Sequence, residues 1–303
     1  MLSAKPWRFE AVARLILGVF VCMYAGSLVL TALRFHSVTH RNLAWFYLAL
    51  AVSLALLGTT LHLIRGSWPI AGLPRRLAAV LLCFYSGLLL GTWVQKLAGG
   101  SAGPSVVQMI VAALSFQGAS LVLVARFVRE HGTNWSGAFG FRNRWRQALL
   151  LGFIVACLFV PIGWMLQWVS AKMMDHWPGL HPQEQQAVQT LHMASTWLPR
   201  VVLGIITILV APVAEEILFR GILYTWVKQL GFPRLALWGT ALFFAAVHQN
   251  LVTFVPLTIL ALALALLYER TDNLLAPITA HAIFNGMNFT VLYLFPDPIS
   301  RMS

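Results

Sequence analysis

Apolar residues run along this chain in long unbroken blocks, with neither the alternation of a half-buried strand nor the narrow stripe of a surface helix. A helix needs about 20 such residues to cross a hydrocarbon layer of about 30 Å. Blocks of that kind fall near 11–33, 43–64, 76–97, 105–126, 147–171, 198–228, 234–249, 254–268 and 275–295. The blocks at 234–249 and 254–268 are short for the purpose, so the pattern predicts eight to nine spans, the short ones tilted or buried among neighbours. The fold class is therefore an all-α, polytopic transmembrane helical bundle. The same pattern divides the chain into N-terminal transmembrane helices over 1–171, a polar loop over 172–197, a second helical region over 198–295 and a tail over 296–303. The block at 11–33 is too long for the core of a signal peptide and is read as a retained first helix.

Composition agrees with this reading. Hydrophobic residues make up 59% of the chain and charged residues only 10%, far from the values of roughly 45–50% and about 25% in soluble domains. The net charge of +12 does not point to nucleic acid, because the basic residues sit in short links between apolar blocks. They read as topology signals and contacts to anionic lipid. Alternate links collect Lys5, Arg8, Arg65, Arg75, Arg76, Arg126, Arg129, Arg142, Arg144, Arg146, Lys228, Arg234 and Arg270 on one side, and Arg34, Arg41, Lys96, Lys172, Arg200 and Arg301 on the other. That asymmetry predicts a cytoplasmic N-terminus. Cys22, Cys83 and Cys157 lie singly inside apolar blocks, without CxxC spacing, and read as packing residues. In the polar loop, Asp175, Glu184 and several glutamines suggest a surface connector with a short amphipathic helix, and His176, His181 and His192 read as solvated side chains.

Polar groups inside spans are costly, and their distribution is uneven. The first five blocks hold almost none beyond Arg14, whereas Glu215, Glu216, Arg220, His248, Gln249, His281, Asn285 and Asn288 accumulate after 211. In APVAEEILFRG, Glu216 and Arg220 are four apart and share a helix face, so they can pair. Glu215 is rotated about 100° away and has no counter-charge on its own helix. Phe244 and His248 are four apart in FAAVH, and His281 and Asn285 four apart in HAIFN. Each motif alone also fits a structural role: a buried ion network, a packing histidine, a hydrogen-bonded cap. Together they place a carboxylate, two imidazoles and a carboxamide on three apolar helices. A carboxylate and a neutral histidine can activate water, and a His–Asn pair can hydrogen-bond an oxyanion. Glu215, His248 and His281 also make a three-donor set for a divalent metal such as zinc. Both arrangements point to hydrolysis of a carbonyl compound, most naturally a peptide bond. No HExxH and no GxSxG is present. A proton-relaying transporter is a further use of such groups, but the two halves show no repeat.

EEILFR, FAAVH and HAIFN match, in order, the EExxxR, FxxxH and HxxxN motifs, and with the sequence around them the chain resembles the CAAX-protease and bacteriocin-processing (CPBP) family of intramembrane proteases over about 195–293. The resemblance implies an active-site cavity within the bilayer. It implies that Glu215 and His248 activate the water, that His281 and Asn285 stabilise the oxyanion, and that Glu216, Arg220 and Phe244 support them. Metal dependence is left open by the sequence. The implied partners are membrane lipids and a membrane-associated protein or peptide substrate, and the implied location is the bacterial inner membrane. The family also holds proteins linked to bacteriocin immunity, so a non-catalytic scaffold is the alternative.

Overall fold

The computed structural model describes residues 2–33, 35, 42–65, 70–98, 105–177, 182–194 and 196–295. Arg34, Arg41, His181, Arg301 and the tail 296–303 lie outside the described residues, so the expectations placed on them are not followed further. Among the described residues there is no strand. The helices are α1 (Phe9–Leu33), α2 (Leu43–Ile64), α3 (Leu73–Ala98), α4 (Val106–Glu130), a short α5 (Trp135–Phe139), α6 (Trp145–Asp175), α7 (Gln186–Met193), α8 (Trp197–Gln229), α9 (Pro233–Val247), α10 (Leu251–Thr271) and α11 (Leu275–Leu294). Seven of them, α1 to α4, α6, α8 and α10, are long and apolar enough to cross a membrane. The chain is an all-α integral membrane protein.

The expected block at 254–268 is longer than its apolar residues suggested. Helix α10 has 21 residues, because its polar ends are helical as well. Asn250 starts it, its side-chain oxygen accepting from the Thr253 N–H at 3.0 Å, and Asp272 ends it in the left-handed region at φ 46°. The block at 234–249 is truly short: α9 has 15 residues, about 22 Å of helix. Helix α11 reaches 20 residues, but His281, Asn285 and Asn288 dilute its apolar character, and it is not among the seven.

The chain divides into two compact units, residues 8–127 and residues 1–7 with 128–303. In the first, small residues admit a ring. A Cβ at Gly87 of α3 would lie 2.8 Å from the Tyr24 ring of α1, and the Tyr24 hydroxyl donates to the Ser53 carbonyl of α2 at 2.6 Å. The GxxxG spacing of Gly87 and Gly91 is thus a packing surface.

In the second unit, α6, α8, α9, α10 and α11 enclose an aromatic and aliphatic core that includes Phe159, Phe219, Phe244, Leu260, Leu264 and Phe284. Gly152 of α6 lets α11 approach: a Cβ there would lie 2.5 Å from the Ala276 carbonyl oxygen. Helices α6 and α11 run in the same direction, since Gly152 meets Ala276, Gly163 meets Phe284 and Trp164 donates to Asn288 at 2.7 Å. The α10–α11 junction is pinned from outside. Asn273 donates to the Asn143 carbonyl at 2.6 Å and accepts from the Leu275 N–H at 2.9 Å. Gly140, at φ 74°, passes so close to Asp272 that a Cβ would sit 1.9 Å from its carbonyl oxygen. The polar loop is anchored at the opposite end of α10. Gln185 donates to Thr253 at 2.8 Å and Asn250 to the Gln183 carbonyl at 2.7 Å. The short amphipathic helix expected in this loop is α7.

Candidate active site

Helix α8 is not α-helical throughout. It widens into π-helical turns at Ile206–Val210 and again at Ile217–Tyr224. Ala211–Glu216 is the regular turn between them, so both glutamates sit where the backbone changes pitch. Such turns shift side-chain directions and leave backbone carbonyls with altered partners. One of those carbonyls is used: Asn285 of α11 donates to the Thr207 carbonyl at 2.9 Å.

Glu216 and Arg220 pair as their spacing predicts. Arg220 Nη1 donates to Glu216 Oε1 at 2.8 Å, and both side chains are buried. Two further contacts hold the arginine. Its Nη2 donates to the Ala261 carbonyl at 3.2 Å, and its guanidinium lies 4.6 Å from the centre of the Phe244 ring. Ala261 is the middle residue of α10, about 15 Å from either end at 1.5 Å per residue. That depth is half the thickness of a hydrocarbon core, so the polar cluster lies near the centre of its span. Removing two charges from water at that depth costs several kcal/mol per ion, which only tight pairing offsets.

His281 joins the two glutamates. Its Nδ1 is 2.9 Å from Glu216 Oε1 and its Nε2 is 3.9 Å from Glu215 Oε2. A carboxylate already bound by arginine only accepts, so Nδ1 carries the proton and donates. In the neutral ring Nε2 is then an acceptor facing Glu215, whose Oε2 is buried and has no hydrogen-bond partner in the protein. Two acceptors 3.9 Å apart do not bond directly. A single water can donate to both at ordinary hydrogen-bond lengths.

His248 caps the C-terminus of α9, where its Nδ1 donates to the Phe244 carbonyl at 2.7 Å. That bond fixes the tautomer and leaves Nε2 as the acceptor. The Phe244 ring touches both imidazoles, tilted against His248 at 4.8 Å and edge-to-face with His281 at 5.7 Å. Helix α9 is therefore short for a reason: it ends beside the polar cluster.

The structure thus bonds Glu216, Arg220 and His281 into one group with Glu215 facing it at 3.9 Å, sets His248 against Phe244, and holds Asn285 to the neighbouring turn of α8. The three donors of the metal expectation fare differently. Among the described residues no three His, Cys, Asp or Glu side chains are grouped to hold a metal ion. Glu215, His248 and His281 do not form a ready ligand set. The sequence reading did not find the Thr207 and Ala261 carbonyls, because backbone acceptors carry no sequence signature.

Comparison with known proteins gives one family. Residues 196–287 match the model of the type II CAAX prenyl endopeptidase Rce1-like family. A protein of Bacillus subtilis (strain 168), the uncharacterized protein YpbD, is 38% identical over 86 residues, which cover 27% of this chain and 41% of that protein. No solved structure matches. The matched segment starts just before α8 and ends within α11, and it contains every residue of the cluster. Over residues 196–287 this integral membrane protein carries a domain of the Rce1-like CAAX prenyl endopeptidases, in the CPBP family.

Proposed function

We propose that the chain is an intramembrane endopeptidase that hydrolyses a peptide bond in a membrane-associated protein or peptide, with Glu215 as the base. The observation that carries this reading is the unpartnered Glu215 Oε2, buried and 3.9 Å from His281 Nε2. A buried carboxylate oxygen without a donor is costly. Glu216 Oε2 also lacks one, but Glu216 is held through Oε1 by Arg220 and His281, whereas Glu215 is left without any hydrogen bond of that kind. The Glu216–Arg220 pair supports the reading by supplying a fixed acceptor for His281 Nδ1.

In this scheme a water donates to Glu215 and to the lone pair of His281 Nε2, while His248 packs against Phe244, which also touches His281. The water oxygen attacks the scissile carbonyl carbon as Glu215 takes a proton. His281 Nε2 receives that proton and becomes a donor, its new charge balanced by Glu216. The imidazolium and the second N–H of Asn285, whose first is spent on Thr207, then hydrogen-bond the oxyanion. Collapse breaks the C–N bond, and the amine leaves with the proton.

The test uses purified protein in lipid nanodiscs and a fluorogenic peptide ending in a prenylated CAAX sequence, the substrate class in the family's name. Cleavage by the wild type, lost about 100-fold or more in Glu215→Gln, is the expected result. Equal cleavage by the two proteins rejects Glu215 as the base.

A further inference from the structure

A groove of about 360 Å³ opens between the first half of α8 and the second half of α11. Its walls are apolar except at one end, where Arg200 stands between Trp197 and Tyr293. Trp197 opens α8 and Tyr293 lies in the last turn of α11, so this end belongs to the membrane interface, where Trp and Tyr concentrate. Arg200 is held there with its charge uncompensated. Its Nε donates to the Ala194 carbonyl at 2.9 Å and its guanidinium lies 5.7 Å from the centre of the Tyr293 ring, but no carboxylate among the described residues pairs with it. The two terminal nitrogens are therefore left for an anion from outside the chain, and their planar fork suits phosphate.

Inward from Arg200 the groove is lined by Gly204, Ile205, Ile208, Leu209 and Phe289, all apolar. At Gly204 a Cβ would lie 3.3 Å from the Phe289 ring, and Ile208 lies against Gly286. From Trp197 to Ile208 the helix rises about 16 Å, the depth of one leaflet's hydrocarbon. We propose that this groove binds one anionic glycerophospholipid, with its headgroup phosphate on Arg200 and one acyl chain along Gly204 to Ile208. The acyl chain's end lies beside Ile208, which follows Thr207, the residue whose carbonyl accepts from Asn285. The proposal stands whether or not the cluster hydrolyses peptides.

Native mass spectrometry of the full chain in detergent micelles tests it, after incubation with equal amounts of phosphatidylglycerol and phosphatidylcholine carrying the same acyl chains. The wild type should retain the anionic lipid about fivefold over the zwitterionic one, the preference that one interfacial arginine gives. Arg200→Gln should bring that ratio to about one, and Arg200→Lys should keep part of it. Val201→Trp, at an exposed position on the groove wall, should lower retention of both lipids. Equal retention by the wild type, a preference that survives Arg200→Gln, or full retention by Val201→Trp overturns the site. So does a wild type that binds no lipid and runs as a dimer, which would give the groove to a second copy.

Discussion

Helices α2 and α10 are both apolar enough to span a membrane, yet they are used in opposite ways. In α2 only 17% of the apolar stretch is buried within the protein, and in α10 the figure is 61%. Hydropathy reports that a helix enters the bilayer and says nothing about whether it meets lipid or protein. What separates the two is their neighbours' chemistry. Helix α10 runs beside the Glu216–Arg220–His281 cluster and lends it the Ala261 carbonyl, whereas α2 offers α1 the Ser53 carbonyl. One unit is joined by ring-and-glycine packing and single hydrogen bonds. The other is built around a buried Glu216–Arg220 ion pair that His281 and the Ala261 carbonyl also contact.

This contrast is breakable, and the largest effect should come from the charges. Arg220→Ala leaves Glu216 buried with one imidazole for company and should cost about 3–5 kcal/mol, read as loss of folded protein after detergent extraction. A smaller loss follows from closing the approach of α6 to α11. Gly152→Val sets a side chain against the Ala276 carbonyl and Thr279 and should destabilise by about 1–3 kcal/mol, measured as the shift of an unfolding transition in mixed micelles. In the first unit, Tyr24→Phe removes the hydroxyl bond to Ser53 and should cost about 1 kcal/mol in the same assay. The smallest effect has the opposite sign. Nothing lies within 4 Å of a Cβ at Gly58 of α2, so Gly58→Ala should stabilise by about 0.5–1 kcal/mol through helix propensity alone. Equal losses from Gly152→Val and Gly58→Ala would erase the distinction between the two units.

Much of the site was legible in the sequence because its parts repeat at helical spacing. Glu216 with Arg220 and Phe244 with His248 are four-residue pairs, and each forms a contact within its helix. The link between helices could not be read this way. That His281 bonds Glu216 while facing Glu215 depends on how α11 packs against α8, which Gly152 and Gly163 help to set from α6. The π-helical turns flanking the glutamates were also hidden, since Ile206–Val210 and Ile217–Tyr224 have the composition of any apolar helix. Span lengths were misjudged at α10 for a related reason. The apolar run ends before the helix does, and the capping residues Asn250 and Asp272 mark the true ends.

The central claim is that two adjacent glutamates have different work: Glu216 holds the fold together and Glu215 is kept for chemistry. The most direct measurement compares Glu215→Gln and Glu216→Gln in the same nanodisc preparation, recording folded yield and peptide cleavage for each. The account predicts normal yield with cleavage reduced about 100-fold or more for Glu215→Gln, and a loss of folded protein at least as large as the loss of activity for Glu216→Gln. Wild-type cleavage by Glu215→Gln, or normal yield with a purely catalytic defect in Glu216→Gln, would contradict it.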